Sequence, residues 1–102
     1  MELLIVCGGG ASSSFIAQNV QREGIARGLD ITVDAISETE LEDYAQGRAA
    51  VLAGPHLRYL EDNLREITEE YGVPFDFIAD SDYSTMNGKN ILDQALALAN
   101  KE

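Results

Sequence analysis

The sequence predicts a small doubly wound α/β domain, a four-stranded parallel sheet with helices on both faces. Three observations carry that expectation. Short apolar runs alternate with longer amphipathic stretches, in the order βαβαβαβα. Glycine or proline closes nearly every run, as element ends require. Strands separated by helices must run parallel, joined by right-handed crossovers, which places helices on both faces of the sheet.

Taken in order, Leu3-Leu4-Ile5-Val6 is a continuous apolar run closed by Gly8-Gly9-Gly10, and it reads as a fully buried strand. Ser12 to about Arg27 contains no proline and keeps Phe15, Ile16 and Val20 near one face; Gly28 caps its end. Ile31, Val33 and Ala35 alternate with Thr32 and Asp34, the period of a second strand. Ser37, followed by Glu38 and Glu40, is an N-cap with an acidic first turn, opening a short helix through Leu41, Tyr44 and Ala45.

The second half repeats the theme. Ala49-Ala50-Val51-Leu52-Ala53 is a third strand, stopped by Gly54-Pro55. Leu57, Leu60, Leu64, Ile67 and Tyr71 fall at helical spacing until Gly72 and Pro74 end the helix. Phe75, Phe77 and Ile78 give the fourth strand, and Ile91, Leu92, Ala95, Leu96 and Ala99 the last helix. In such a sheet, ligands bind beyond the carboxyl ends of the strands. Four loops are thereby selected: Cys7–Ser13, Ser37, Gly54–His56 and Ala79–Lys89.

Composition narrows the function classes. A chain of 102 residues fits one domain, expected to span 1–102. Seven Lys and Arg against 18 Asp and Glu give a net charge of −11, and both halves of the chain are acidic. Binding nucleic acid or an anionic membrane runs on basic side chains, so neither is an expected partner. One cysteine and one histidine supply no intramolecular disulfide and no zinc site, so no metal is expected. Glu2 precedes an apolar run too short for a signal peptide, and no segment is long enough to insert into a membrane. The expected location is the cytoplasm, where the Cys7 thiol stays reduced.

The loop Cys7-Gly8-Gly9-Gly10-Ala11-Ser12-Ser13-Ser14 carries the chemistry. Its glycines remove side chains that would keep a ligand from the backbone N–H groups, and its serines supply hydroxyls and an N-cap. The helix N-terminus that follows gathers unpaired donors and a partial positive charge, making an anion site. The same field favours the thiolate of a cysteine. No carboxylate occurs from Leu3 through Arg22, so this entry is spared charge of the wrong sign. A lone cysteine at a strand end is commonly a small core residue. Its place immediately before a Gly/Ser loop points instead to a nucleophilic or phosphate-carrying Cys7.

Other patterns fail. Gly88-Lys89-Asn90 lacks the upstream glycine and the hydroxyl of a P-loop, and Ser13 stands where a dinucleotide loop has its third glycine. A cysteine phosphatase loop needs an arginine six residues after the cysteine to clamp phosphate bidentately, and that position is Ser13. A Cys-type hydrolase and a non-enzymatic anion-binding module nonetheless remain the alternatives. His56, Asp80 and Tyr83 lie on the loop-bearing edge of the sheet as site-edge candidates. Read plainly, His56 is a solvent-facing first-turn residue, and Asp80 and Tyr83 belong to a capped turn.

Cys7-x-x-Gly10-x-Ser12-Ser13-Ser14 after an apolar strand resembles the IIB subunits of the lactose/cellobiose family of the bacterial phosphoenolpyruvate-dependent sugar phosphotransferase system. The likeness continues through Val51-Leu52-Ala53-Gly54-Pro55-His56-Leu57-Arg58-Tyr59 and Phe77-Ile78-Ala79-Asp80-Ser81-Asp82-Tyr83-Ser84-Thr85-Met86-Asn87-Gly88. Gly8-Gly9 and His56 depart from common members, which carry other small residues and a glutamine there. The resemblance implies a phosphatase-like or flavodoxin-like fold and a phosphocarrier that needs no cofactor. Cys7 would accept a phosphoryl group from a phosphohistidine of a IIA protein and pass it to a sugar at a membrane IIC protein. Gly8 to Ser14 would hold the phosphoryl oxygens. The missing arginine then suits a carrier, which must hold phosphocysteine against water until its acceptor arrives.

Overall fold

The first strand, β1, spans Glu2–Cys7 and is central. The computed structural model describes residues 1–8 and 12–100, the side chains of Ser12 and Ser13 excepted. Leu3 through Cys7 are each 1% exposed or less, because β1 is covered on both faces and flanked by a strand on each side. The sheet is completed by β2 (Thr32–Ser37), β3 (Ala50–Ala53) and β4 (Phe75–Phe77), all parallel, in the order β2-β1-β3-β4. Cys7 is level with Ser37, and Val6 with Ala53, so three strands end together at one edge.

Among the described residues, five α-helices cover the sheet: α1 (Ser12–Ala26), α2 (Leu41–Tyr44), α3 (Glu61–Glu70), α4 (Asp80–Ser84) and α5 (Gly88–Ala99). Leu3, Ile5 and Cys7 point to one face, where they meet Ile16 and Val20 of α1 and Ile91, Leu92 and Ala95 of α5. Leu4 and Val6 point to the other, against Leu41 of α2, Leu57, and Leu64 of α3. Burial of this kind stabilises by roughly 1.5–3 kcal/mol per large side chain. Opposite faces for α1 and α3 follow from strand order, since the chain moves from β1 one way and from β3 the other.

Helix ends match their chemistry. Gly28, at φ +73°, closes α1 with Leu29 N–H donating to Gly24 O (2.9 Å) and Gly28 N–H to Ile25 O (3.0 Å). Gly72, at φ +67°, closes α3 the same way, with Val73 N–H donating to Thr68 O at 2.9 Å. Both form the paired-bond motif that needs a left-handed residue after the helix, where glycine costs least. At the end of α1, the exposed Arg27 donates to Asp93 Oδ1 of α5 and to Glu23 Oε2; these bonds, that to Asp93 foremost, push its pKa up and tie α1 to α5.

Several boundaries differ from the sequence expectation. The helix predicted from Leu57 opens as a 3-10 turn, Pro55–Leu60, and becomes α-helical at Glu61; Gly54 O already accepts from Leu57 N–H. The helix after Ser37 likewise opens as a 3-10 turn, Glu38–Glu40, with Ser37 N–H donating to Glu40 Oε1. The predicted 79–89 loop contains α4, five residues too short to show a periodic apolar stripe. Helix α5 starts at Gly88, before its first buried residue, because Asn87 Oδ1 accepts from Asn90 N–H. Phe15, expected on the apolar face of α1, is 55% exposed.

Candidate functional site

Strand order places the site. The chain leaves β1 towards β2 and later crosses back to β3, so the connections after β1 and β3 part to opposite faces of the sheet, the gap at which such sheets bind ligands. Cys7 ends β1, and Gly54 follows the end of β3. Across that gap Gly8 N–H donates to His56 Nε2 at 3.3 Å. The switch point of the sheet is therefore closed by a bond between two of the loops selected from sequence.

Cys7 itself is 1% exposed, its side chain part of the core beneath α1 and α5. Tyr83, on α4, donates its phenolic O–H to Cys7 Sγ at 3.6 Å. A donor on sulfur stabilises the thiolate relative to the thiol, the form that acts as nucleophile. The first turn of α1 carries no acidic side chain. His56 and Tyr83 rings lie 5.3 Å apart at 46°, so the three side chains and Gly8 form one cluster. The sulfur thus has a hydrogen-bond donor beside it, and the helix that follows its loop opens without a carboxylate.

The seat of Tyr83 is built from distant residues. Asn19 of α1 donates its side-chain N–H to Met86 O at 2.9 Å, and Met86 adopts φ +52° to make the turn between α4 and α5. Asp82 O accepts from Asn87 N–H, and Asp82 Oδ1 from the side chain of Asn90. Gly88 lies against α1 so closely that a Cβ would stand 2.5 Å from Asn19 O. The segment presenting Tyr83 is thereby pinned to the helix that follows the Cys7 loop.

The candidates from sequence divide as follows. Cys7, Gly8, His56 and Tyr83 come together. Ser14 is exposed in the first turn of α1. Gly9, Gly10 and Ala11, and the side chains of Ser12 and Ser13, lie outside the described residues. Asp80 opens α4, exposed to solvent, and takes part in none of the hydrogen bonds just described. His56 is exposed, as a first-turn residue should be, yet it also bonds Gly8. Sequence reasoning missed Gly54 as a shaping residue, although Gly54-Pro55 marked the turn. It missed Asn19 as well, an uncharged polar residue on a helix with no local mark of its long-range bond.

Among the described residues, no group of three or more His, Cys, Asp or Glu is placed to hold a metal ion. No helix among them is long and apolar enough to cross a membrane.

Comparison with known proteins agrees with this architecture. The family model described as "PTS system, Lactose/Cellobiose specific IIB subunit" matches residues 2–94. The oligo-beta-mannoside-specific EIIB component of Bacillus subtilis (strain 168) is 24% identical over 97 residues, covering 95% of this chain and 94% of that protein. The lactose-specific EIICB component of Lacticaseibacillus casei is 27% identical over 95 residues, which cover 91% of this chain and 16% of that longer protein. The solution structure of the cellobiose-specific phosphotransferase IIB component from Borrelia burgdorferi superposes with a TM-score of 0.82 at 35% identity. That match covers 99% of this chain and 93% of the other.

Proposed function

Because the chain belongs to the lactose/cellobiose-specific IIB subunit family of the sugar phosphotransferase system, we propose that Cys7 is its phosphoryl carrier. The observation that carries this reading is the placement of Cys7 Sγ at the switch point, under the Tyr83 hydroxyl and at the head of the Gly/Ser loop. The Cys7 thiolate attacks the phosphorus of a phosphohistidine on a IIA protein. An S–P bond forms, the P–N bond breaks, and the leaving imidazole keeps the electron pair.

In the second step a sugar hydroxyl at a membrane IIC protein attacks the same phosphorus. The O–P bond forms, the S–P bond breaks, the thiolate returns, and the hydroxyl proton leaves to a base outside this chain. In this reading the donors to the phosphoryl oxygens are backbone N–H groups from Gly8 through Ser14 and the hydroxyls of Ser12 and Ser13, of which Gly9 to Ala11 and those two side chains lie outside the described residues. Positioning and fixed dipoles supply most of the stabilisation in such transfers, and an existing thiolate needs no general base.

The partners follow from this relay. A IIA protein donates and a IIC permease receives; the fused EIICB relative supports the second. Residues 1–102 act as one IIB domain on the cytoplasmic side of the membrane. Position 13 is serine, so the bidentate arginine of a cysteine phosphatase is lacking, which favours retention of the group over hydrolysis.

Mixing the protein with phosphoenolpyruvate, enzyme I, the histidine phosphocarrier and IIA tests this. The expected result is a mass gain of one phosphoryl group, absent in Cys7→Ser. Release of phosphate from an aryl ester without the relay proteins would establish a hydrolase instead.

A further inference from the structure

The His56 ring rests on Gly54. Gly54 has φ −61° and ψ 143°, a conformation open to any residue, yet a Cβ there would lie 2.5 Å from His56 Cε1 and 2.7 Å from Nδ1. The glycine is explained by the ring above it, not by the backbone. That seat aims Nε2 at Gly8 N–H, 3.3 Å away. A backbone N–H can donate to Nε2 only while that nitrogen carries no proton. Both His56 and Gly8 are exposed, so solvent protons reach the ring. Histidine is also the side chain whose charge ordinarily changes between about pH 5 and 8.

We propose that His56 gates the first amide of the Gly/Ser loop: the neutral ring holds Gly8 N–H, and protonation frees it. An anion carried on Cys7 then meets two donors, the released amide and the imidazolium N–H. The anion in this inference rests on the phosphocysteine reading; the gate on the amide does not. Linkage makes the effect reciprocal, so a phosphoryl dianion on Cys7 draws a proton from solvent onto His56.

Among the described residues, groups from two other elements face the ring. Tyr83 of α4 presents its phenol, and Cys7 of β1 presents the sulfur that accepts from that phenol. On the ring's own 3-10 turn, the Arg58 guanidinium lies over the Phe77 ring, 5.0 Å from its centre. On α4, the Asp82 carboxylate is engaged by Asn90, and Asp80 stands at the helix start. In this scheme the neutral His56 is a positioning residue that acts through Gly8, and the protonated ring is a donor to the anion itself.

The chain has one histidine, so its ring resonances are unambiguous in NMR spectra of isotope-labelled protein. On acidification, the Gly8 amide proton is expected to move upfield in step with protonation of the His56 ring, read from the same spectra. In His56→Gln, whose side-chain oxygen still accepts, that pH dependence disappears. A Gly8 amide that stays flat in the wild-type protein overturns the gate. Once Cys7 is loaded through the relay, the ratio of protonated to neutral ring at fixed pH should rise by roughly tenfold or more. An unchanged or lowered ratio in the loaded protein overturns the exchange of donors. If the relay loads nothing, the phosphocysteine reading fails and the amide titration alone decides the gate.

Discussion

Replacing Gly54 by alanine separates the site from the fold. The backbone at Gly54 suits alanine, so the chain gains about 0.4–1 kcal/mol from a less flexible unfolded state. The new Cβ, however, would stand 2.5 Å from His56 Cε1 and 3.0 Å from Tyr83 Cε1, against an ordinary carbon–carbon contact of about 3.5–4.0 Å. His56 is exposed, so its ring can swing out by about 1 Å instead of forcing the sheet apart. The 3.3 Å bond from Gly8 N–H then passes beyond hydrogen-bonding reach. The lost bond is worth about 0.5–1.5 kcal/mol, and the ring contact with Tyr83 about 0.5–1.5 kcal/mol. After the backbone gain, the net destabilisation is about 0–2.5 kcal/mol. Urea unfolding monitored by circular dichroism measures it, while the amide spectrum reports Gly8. The expected outcome is a small stability change with a large displacement of the Gly8 amide resonance. A loss above about 3 kcal/mol, or an unmoved Gly8 amide, would refute the view that glycine is there for the ring.

Three further outcomes follow from particular contacts. Tyr83→Phe keeps the ring against His56 but removes the donor to Cys7 Sγ; a hydrogen bond to a charged sulfur worth about 1.5–3 kcal/mol predicts a roughly ten- to hundredfold slower phosphoryl acceptance at neutral pH. Gly88→Ala drives a Cβ to 2.5 Å from the α1 backbone at Asn19 O, where no side chain can yield, and should cost about 1–3 kcal/mol in urea unfolding. Leu52→Ala, in a strand residue 1% exposed, should cost about 2–5 kcal/mol by the same measurement and leave the Gly8 amide in place.

The fold was legible because its central strands are buried on both faces. Such strands must be apolar throughout, and Leu3 to Val6 and Ala50 to Ala53 announce themselves. The end of α1 was legible for a similarly local reason, since Gly28 supplies the left-handed residue its closing bonds need. Helix α4 was not, because five residues with no buried side chain leave no period to read. The site divides along the same line. Cys7 could be singled out by its place before the glycines, and the loops of the sheet edge by topology. The pairing of His56 with Gly8, 48 positions apart, comes from tertiary structure. So does the route from Asn19 through Met86 to Tyr83, whose residues read locally as ordinary helix and turn.

The central claim is that the phosphoryl group resides on the sulfur of Cys7. Phosphorus NMR of the protein loaded through enzyme I, the histidine phosphocarrier and IIA tests it most directly. The account predicts one S-phosphoryl resonance, lost in Cys7→Ser and discharged when a sugar-loaded IIC permease is added. A signal that persists in Cys7→Ser, or one with the shift of an oxygen ester or of N-phosphorylated His56, would contradict it.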